Sequence, residues 1–168
     1  MKTINGQILK EMLLSGSNNL YNHYPEIDAL NVFPVPDGDT GTNMNLTFKS
    51  ATKEVNECLN NNFDSLGEAI SKGALRGARG NSGVIISQFF AGISKGLKDK
   101  KKADALTFGK ALEEGVKQAY ASVMTPTEGT ILTVARESVE YAVKRVNSKS
   151  TVQSLFADLV RYGLDSAL

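Results

Sequence analysis

Apolar residues recur every three or four positions along almost the whole chain, and no other feature of the sequence limits its fold as strongly. This spacing places the apolar side chains on one face of an α-helix, and it predicts seven amphipathic helices. The run from Val84 to Ile86, which is strand-like in composition, is interpreted as part of a helix. Because each apolar stripe must be buried against another, we predict an all-α bundle or closed helical barrel. The stripes begin at Ile4, Met44, Leu66, Ile86, Phe108, Leu132 and Val152.

Polar residues predict where some of these helices begin and end. Ser65 followed by Glu68 is typical of a capping box that opens the third helix, which is expected to end near Gly77. Ser150 followed by Gln153 predicts the start of the last helix. These signals divide the chain into helices joined by short polar connections.

The charge balance and the cysteine content exclude several classes of protein. Nineteen basic and eighteen acidic side chains give a formal charge of +1, so a dedicated nucleic-acid-binding protein is not expected. The single Cys58 excludes an internal disulfide framework and a multi-cysteine metal site. The lone cysteine suits a reducing compartment, so we expect a cytoplasmic protein. No signal peptide is evident, and no stretch approaches the roughly 20 apolar residues that span a bilayer. Five lysines between Lys95 and Lys102 are interpreted as solvated surface, with partner docking as the alternative.

The connection between the first two predicted helices carries two aspartates around a glycine. Asp37 and Asp39 stand two positions apart, so a tight turn at Gly38 can aim both carboxylates at one point. A cation there would relieve their repulsion, and hard oxygen ligands favour magnesium. An EF-hand is excluded because its glycine and glutamate positions hold Thr42 and Phe48. The structural alternative is an Asx-rich turn that caps the helix beginning near Thr42.

Glycine-rich segments that lead into helices suggest seats for phosphate. The free amides and positive dipole end of the helix near Thr42 would lie beside the predicted magnesium ion. The segment 77–83 leads into another helix and adds the Ser82 hydroxyl, with a plain helix–helix turn as the alternative. Thr130 opens a later helix and is interpreted first as an ordinary cap. The chain has neither a Walker nor a Rossmann pattern, so a nucleotide site would be of another kind.

Three motifs resemble, in this order, the nucleotide-binding domain of bacterial fatty acid kinase ATP-binding subunits. They are NVFPVPDGDTGTNM from residue 31, GARGNSGVI from residue 77 and PTEGTILTV from residue 126. That domain is DhaL-like, which means that it is related to the L subunit of dihydroxyacetone kinase. The resemblance covers residues 1–168 and implies one ATP- and Mg²⁺-binding kinase domain, an antiparallel helical barrel of about eight helices. The family also has a later glycine-rich segment with an aspartate, and nothing after Ala157 is similar to it, so we expect a domain truncated at its carboxyl end.

The resemblance also implies individual site residues. Asp37 and Asp39 match the catalytic aspartates that hold magnesium, and Asn31 falls near the position of a third metal ligand. Arg79 has two interpretations, a contact to the transferring phosphoryl group and a surface or helix-end role. The isolated His23 is not expected to be catalytic. The residues expected to contact the nucleotide are Thr40, Gly41, Thr42, Asn43, Asn81, Ser82, Gly83, Thr130 and Ile131.

The function that the resemblance implies is ATP- and Mg²⁺-dependent phosphoryl transfer to the carboxylate of a fatty acid, giving an acyl phosphate. The acid would be presented by a separate fatty-acid-binding protein, and a homodimer would form through regions that this chain lacks. Thr40 favours this branch, because many dihydroxyacetone kinases have histidine there. The alternatives are a dihydroxyacetone kinase L-type subunit that acts on a small ketone and a non-catalytic module that binds nucleotide or metal.

Overall fold

The computed structural model describes residues 1–32 and 36–167 and confirms the predicted all-α fold. The described residues form seven helices, against the eight or so that the resemblance implies. None of these helices is long and apolar enough to cross a membrane. Residues 33–35, in the middle of the first motif, lie outside the described part. The helices are α1 (Gly6–Leu30), α2 (Thr40–Asn56), α3 (Phe63–Gly77), α4 (Gly80–Leu97), α5 (Ala105–Ala121), α6 (Ile131–Lys144) and α7 (Val152–Ala167).

The first apolar stripe does not lie entirely in a helix, which corrects the prediction for Ile4. Residues Thr3–Ile4 form a short strand, β1, which pairs antiparallel with a second short strand, β2 (Ala103–Asp104). Ile4 is opposite Ala103 and is 1% exposed. Helix α1 begins two residues later because the Asn5 side chain accepts a hydrogen bond of 3.1 Å from the Ile8 amide.

Two of the predicted helix caps are wrong. Ser65 lies inside α3, and the cap is Asn62, whose side-chain oxygen accepts from the Ser65 amide at 2.7 Å. The Ser150 hydroxyl does not cap α7; the Thr151 hydroxyl oxygen accepts from the Ser154 amide at 3.0 Å. Asparagine, serine and threonine are all good caps, so local sequence alone does not select among neighbouring candidates.

Each helix packs against the next one along the chain, from α1 against α2 to α6 against α7. A smaller core cluster fills the contact between α2 and α3, and a larger one joins the remaining helices. Short connections between successive helices alternate their direction, so the starts of α2, α4 and α6 lie at the same end as the finish of α1. The described residues of all three motifs therefore fall at one end of the bundle.

Candidate nucleotide and magnesium site

Asp37 and Asp39 lie exposed in the connection between α1 and α2. Neither carboxylate forms a hydrogen bond or an ion pair with a described residue, and Asp39 precedes α2 without capping it through its side chain. Gly38 between them has a φ of +65°, in the left-handed region that favours glycine. Two unpaired carboxylates on a tight turn fit a hard divalent cation. No group of three or more acidic, histidine or cysteine side chains that could hold a metal ion converges anywhere in the described part of the chain, and this turn offers two carboxylates.

Asn31 joins the start of this connection to its end. Its side-chain oxygen accepts hydrogen bonds from the backbone amides of Asp39 at 3.1 Å and Thr40 at 3.2 Å. An amide oxygen has two lone pairs, so both are used by these bonds. The structure thus gives Asn31 the role of holding the aspartate turn against the start of α2, and its role as a metal ligand stays a prediction.

Asp28, in the last turn of α1, is the residue at this end of the bundle that the sequence analysis missed. One carboxylate oxygen accepts from the Thr42 amide at 2.9 Å, and the other accepts from the Thr42 hydroxyl at 2.6 Å. The Thr42 hydroxyl, and then the amides of Thr42 and Gly41, lower the pKa of Asp28 although burial opposes them. The helix dipole disfavours an acidic side chain in the last turn of a helix. The position of Asp28 at the end of α1 is therefore the sequence signal that could have indicated a partner outside this helix.

The first turn of α2 is therefore capped from within the chain. The Asn31 side chain accepts a hydrogen bond from the Thr40 amide, and the Asp28 carboxylate accepts one from the Thr42 amide. This corrects the expectation that free amides at the start of α2 form a phosphate seat. Nucleotide contacts by Thr40, Thr42 and Asn43 remain a prediction, and they would have to use side chains.

Gly41 is buried where α2 meets α1. A Cβ atom at this position would collide with the carbonyl oxygen of Tyr24 and would lie 3.0 Å from the Ile27 side chain. The small residue lets the two helix backbones approach, which brings Asp28 within reach of Thr42. The predicted nucleotide contact at Gly41 coincides with a packing requirement.

The first turn of α4 is open, in contrast to that of α2. Arg79 precedes the helix without a side-chain cap, and no group in residues 1–32 and 36–167 accepts from the amides of Gly80, Asn81 and Ser82. Gly80 has a φ of +63°, which is suited to glycine. Unpaired amides at the positive end of a helix are a favourable environment for an anion, and the predicted phosphate contacts of Asn81 and Ser82 stay predictions. The exposed Arg79 side chain has no hydrogen-bond or ion-pair partner among the described residues.

Thr47, which lies in α2, links the start of that helix to the segment before α4. Its buried hydroxyl accepts from the Arg79 amide at 3.1 Å and donates to the Asn43 carbonyl at 2.7 Å. The side-chain nitrogen of Asn43 lies 2.7 Å from the place where Gly80 would carry a Cβ. A Cβ on the buried Gly83 would collide with the same Thr47 hydroxyl, so Gly83 is needed for packing. The starts of α2 and α4 are thus in direct contact.

Thr130 and Ile131 lie at the start of α6. The Thr130 hydroxyl accepts from the Leu132 amide at 3.3 Å and donates to the Thr127 carbonyl at 2.8 Å, which confirms its interpretation as a cap. Ile131 is 37% exposed and lines an apolar cavity of about 220 Å³. The cavity lies between α2, α4, α5 and α6, and its other lining residues include Met44, Ile85, Phe89, Tyr120 and Ala135.

The chain belongs to the DAK2 domain family, which matches residues 34–167. Protein YloV of Bacillus subtilis is 48% identical over 155 residues, which are 92% of this chain and 28% of YloV. An uncharacterized protein of Staphylococcus epidermidis is 45% identical over 163 residues, which are 97% of this chain and 30% of that protein. The chain thus spans less than a third of the length of these curated relatives. The family is that of dihydroxyacetone kinase-like, DhaL-like nucleotide-binding modules, and it is associated with kinase function.

Removal of the Asp28 carboxylate is expected to loosen the start of α2. Asp28→Ala should lower the free energy of unfolding by about 1 kcal/mol at neutral pH, the usual effect of losing a helix cap. Because the fold lowers the pKa of Asp28, this stabilisation is complete above the unfolded pKa, near 3.8, and is lost as the pH falls through the folded pKa. Denaturant unfolding of wild type and Asp28→Asn should therefore differ at neutral pH and converge in strong acid.

The matched control for this experiment is Asp165→Asn, which changes an exposed carboxylate on α7. It should leave the free energy of unfolding within about 0.5 kcal/mol of wild type at every pH. A difference between wild type and Asp28→Asn that does not change with pH would contradict the assigned role of the Asp28 charge.

Proposed function

We propose that the chain is the ATP- and magnesium-binding module of a kinase that phosphorylates the carboxylate of a fatty acid. One observation carries this proposal. The unpaired carboxylates of Asp37 and Asp39 and the three unpaired amides of residues 80–82 lie at the same end of the bundle. A pair of carboxylates for a cation and a helix start for an anion are the two parts that a metal–triphosphate complex requires.

The residues of the chain would act mainly by positioning. Asp37 and Asp39 would hold Mg²⁺, which supplies positive charge to the phosphate oxygens when it is bound. The amides of Gly80, Asn81 and Ser82 would donate to the phosphate oxygens without moving, since Thr47 anchors the segment that carries them. The apolar cavity beside Ile131 would receive the base.

The acceptor chemistry is consistent with a site built for positioning. A fatty acid carboxylate is ionised at neutral pH, so it attacks the γ-phosphate without a general base. The new bond joins a carboxylate oxygen to phosphorus as the bond to the β-phosphate oxygen breaks, which gives acyl phosphate and ADP. A separate fatty-acid-binding protein would present the acid, because burying a long acyl chain in an apolar binding site removes it from water.

A small ketone is the second candidate acceptor, favoured by membership of the DAK2 domain family. Thr40 at the position where many dihydroxyacetone kinases have histidine supports the fatty acid instead. A module that binds nucleotide without transferring phosphate is the third candidate.

A transfer assay distinguishes these candidates. The chain is incubated with Mg²⁺ and ATP labelled in the γ-phosphate, either with a fatty acid on its binding protein or with dihydroxyacetone on its own carrier protein. We expect label in an acyl phosphate that hydroxylamine removes. Label in a ketone phosphate alone would replace the fatty acid with the second candidate. ATP binding without transfer in either arm, also when the chain is joined to the regions that the resemblance implies it lacks, would leave the non-catalytic module.

Ser82→Ala tests the phosphate seat at the start of α4. The hydroxyl has no hydrogen-bond partner in the described structure, so its loss should leave the melting temperature unchanged. Loss of one hydrogen bond to phosphate is worth about 0.5 to 1.5 kcal/mol, so the Kd for ATP should rise about two- to tenfold. A lowered melting temperature with an unchanged Kd would remove Ser82 from the site.

A further inference from the structure

Glu128, in the connection between α5 and α6, joins three side chains from these two helices. One carboxylate oxygen accepts from the Thr133 hydroxyl at 2.7 Å and from the Arg136 guanidinium at 2.8 Å. The other accepts from the Tyr120 hydroxyl at 3.3 Å. We call Glu128, Tyr120, Thr133 and Arg136 the Glu128 network. It ties the end of α5 to the first two turns of α6.

The same network holds the backbone of the connection. The Gly129 amide donates to the Thr133 hydroxyl oxygen at 2.8 Å, so Thr133 links the Glu128 carboxylate to the main chain. Gly129 has a φ of +78°, and the space around its Cα is open. Packing around Gly129 does not fix the backbone here, whereas the hydrogen bond to Thr133 does hold it.

The network also borders the apolar cavity beside α6. Tyr120 lines that cavity together with Ile131, and its hydroxyl points to Glu128. Burial raises the pKa of Tyr120, so the phenol stays protonated and can donate near neutral pH. The Arg136 guanidinium lies 5.9 Å from the Tyr120 ring centroid, and its Nε atom is buried without a hydrogen-bond partner among the described residues. Glu128 thus provides an acceptor for both Tyr120 and Arg136, and its contact with Arg136 is shorter than the 3.9 Å ion pair between Arg136 and Glu137.

We propose that Glu128 is a positioning residue that shapes the wall of the nucleotide site on the side of the base. Its carboxylate holds Tyr120 and the connection before Ile131 in place along the apolar cavity. The inference rests on the proposed function and deepens it, because it separates recognition of the base from recognition of the phosphates at Asp37, Asp39 and the start of α4.

The test compares two ligands and two substitutions at Glu128. Glu128→Ala and Glu128→Gln both remove the charge, but glutamine keeps an oxygen that accepts from Thr133 or Arg136. Binding of ATP and of inorganic tripolyphosphate is measured by calorimetry in the presence of Mg²⁺. We expect Glu128→Ala to raise the Kd for ATP about tenfold and to leave the Kd for tripolyphosphate within about twofold. Glu128→Gln should raise the Kd for ATP by less than Glu128→Ala does.

Hydrogen exchange without ligand provides a readout that does not depend on nucleotide binding. The Gly129 amide should exchange faster in Glu128→Ala than in wild type, because its acceptor Thr133 is no longer held. Thr133→Val removes the hydroxyl between Glu128 and Gly129 without changing the charge. Thr133→Val should also raise the Kd for ATP while it leaves the Kd for tripolyphosphate nearly unchanged. This variant serves as the test if Glu128→Ala does not fold.

The outcomes separate this inference from the proposed function. Equal losses of ATP and tripolyphosphate affinity in Glu128→Ala, or unchanged ATP affinity, would overturn the positioning role alone. Wild-type chain that binds neither ligand would overturn the proposed function and this inference together. Unchanged exchange at Gly129 would show that Glu128 does not hold the connection.

Discussion

Asp37→Ala is expected to abolish magnesium-dependent use of ATP while the melting temperature stays at the wild-type value. The carboxylate is exposed and has no partner in the described chain, so the fold loses no contact with it. Loss of a carboxylate from the metal site should remove several kcal/mol of stabilisation from phosphoryl transfer, which is about a hundredfold or more in rate. Asp39→Ala should behave in the same way.

Three measurements check this prediction, namely the rate of phosphoryl transfer, the Kd for ATP with Mg²⁺ and the melting temperature. The matched control is Asp165→Ala, which removes one exposed carboxylate from α7 and should change none of them. Normal magnesium-dependent transfer by Asp37→Ala would exclude the aspartate turn from the metal site.

Gly41→Ala is expected to cause a large loss of stability. The added methyl group would collide with the Tyr24 carbonyl oxygen, which is main chain and cannot rotate away. Separating α1 from α2 at this point should cost about 1 to 3 kcal/mol in the free energy of unfolding. It should also weaken ATP binding, since Asp28 would no longer reach Thr42 and the start of α2 would shift.

Gly16→Ala in the same interface is the matched control, with the opposite expected sign. Its Cβ would lie 3.6 Å from the Phe48 ring, which is an ordinary contact. Alanine is favoured over glycine inside a helix by up to about 1 kcal/mol, so this substitution should stabilise the chain. Denaturant unfolding of both variants tests the assignment. Equal stability of Gly41→Ala and wild type would show that α1 and α2 do not approach closely at Gly41.

The helices could be predicted from the sequence because their signals are local. The apolar spacing from Phe108 onwards specifies α5, and the hydroxyl of Thr130 caps α6 as the pattern predicts. The spacing of α1 places Ile4 in a helix, but the structure pairs it with Ala103, which lies far along the chain. Strands of two residues are too short to show a periodic pattern in the sequence, so local spacing does not reveal this pair.

Whether the amides at each of the two predicted phosphate seats are free could not be predicted either, because it also depends on contacts between residues far apart in the sequence. Glycine-rich segments before α2 and α4 look equivalent in sequence, and each would present free amides in isolation. Asp28 reaches Thr42 in α2 over a sequence separation of 14, whereas no described side chain reaches the amides of Asn81 and Ser82. The difference between a capped and an open helix start is set by tertiary contacts, and of the two expected phosphate seats only the one at α4 keeps free amides.

The most direct test of the proposed site is a calorimetric titration of the chain with ATP, carried out once with Mg²⁺ and once with a chelator. If Asp37 and Asp39 hold the ion that the phosphates also bind, removal of Mg²⁺ should raise the Kd for ATP about tenfold or more. The same pair of titrations on Asp39→Ala should show little dependence on Mg²⁺. Equal ATP affinity of the wild-type chain with and without Mg²⁺, or no ATP binding in either condition, would contradict the proposed site.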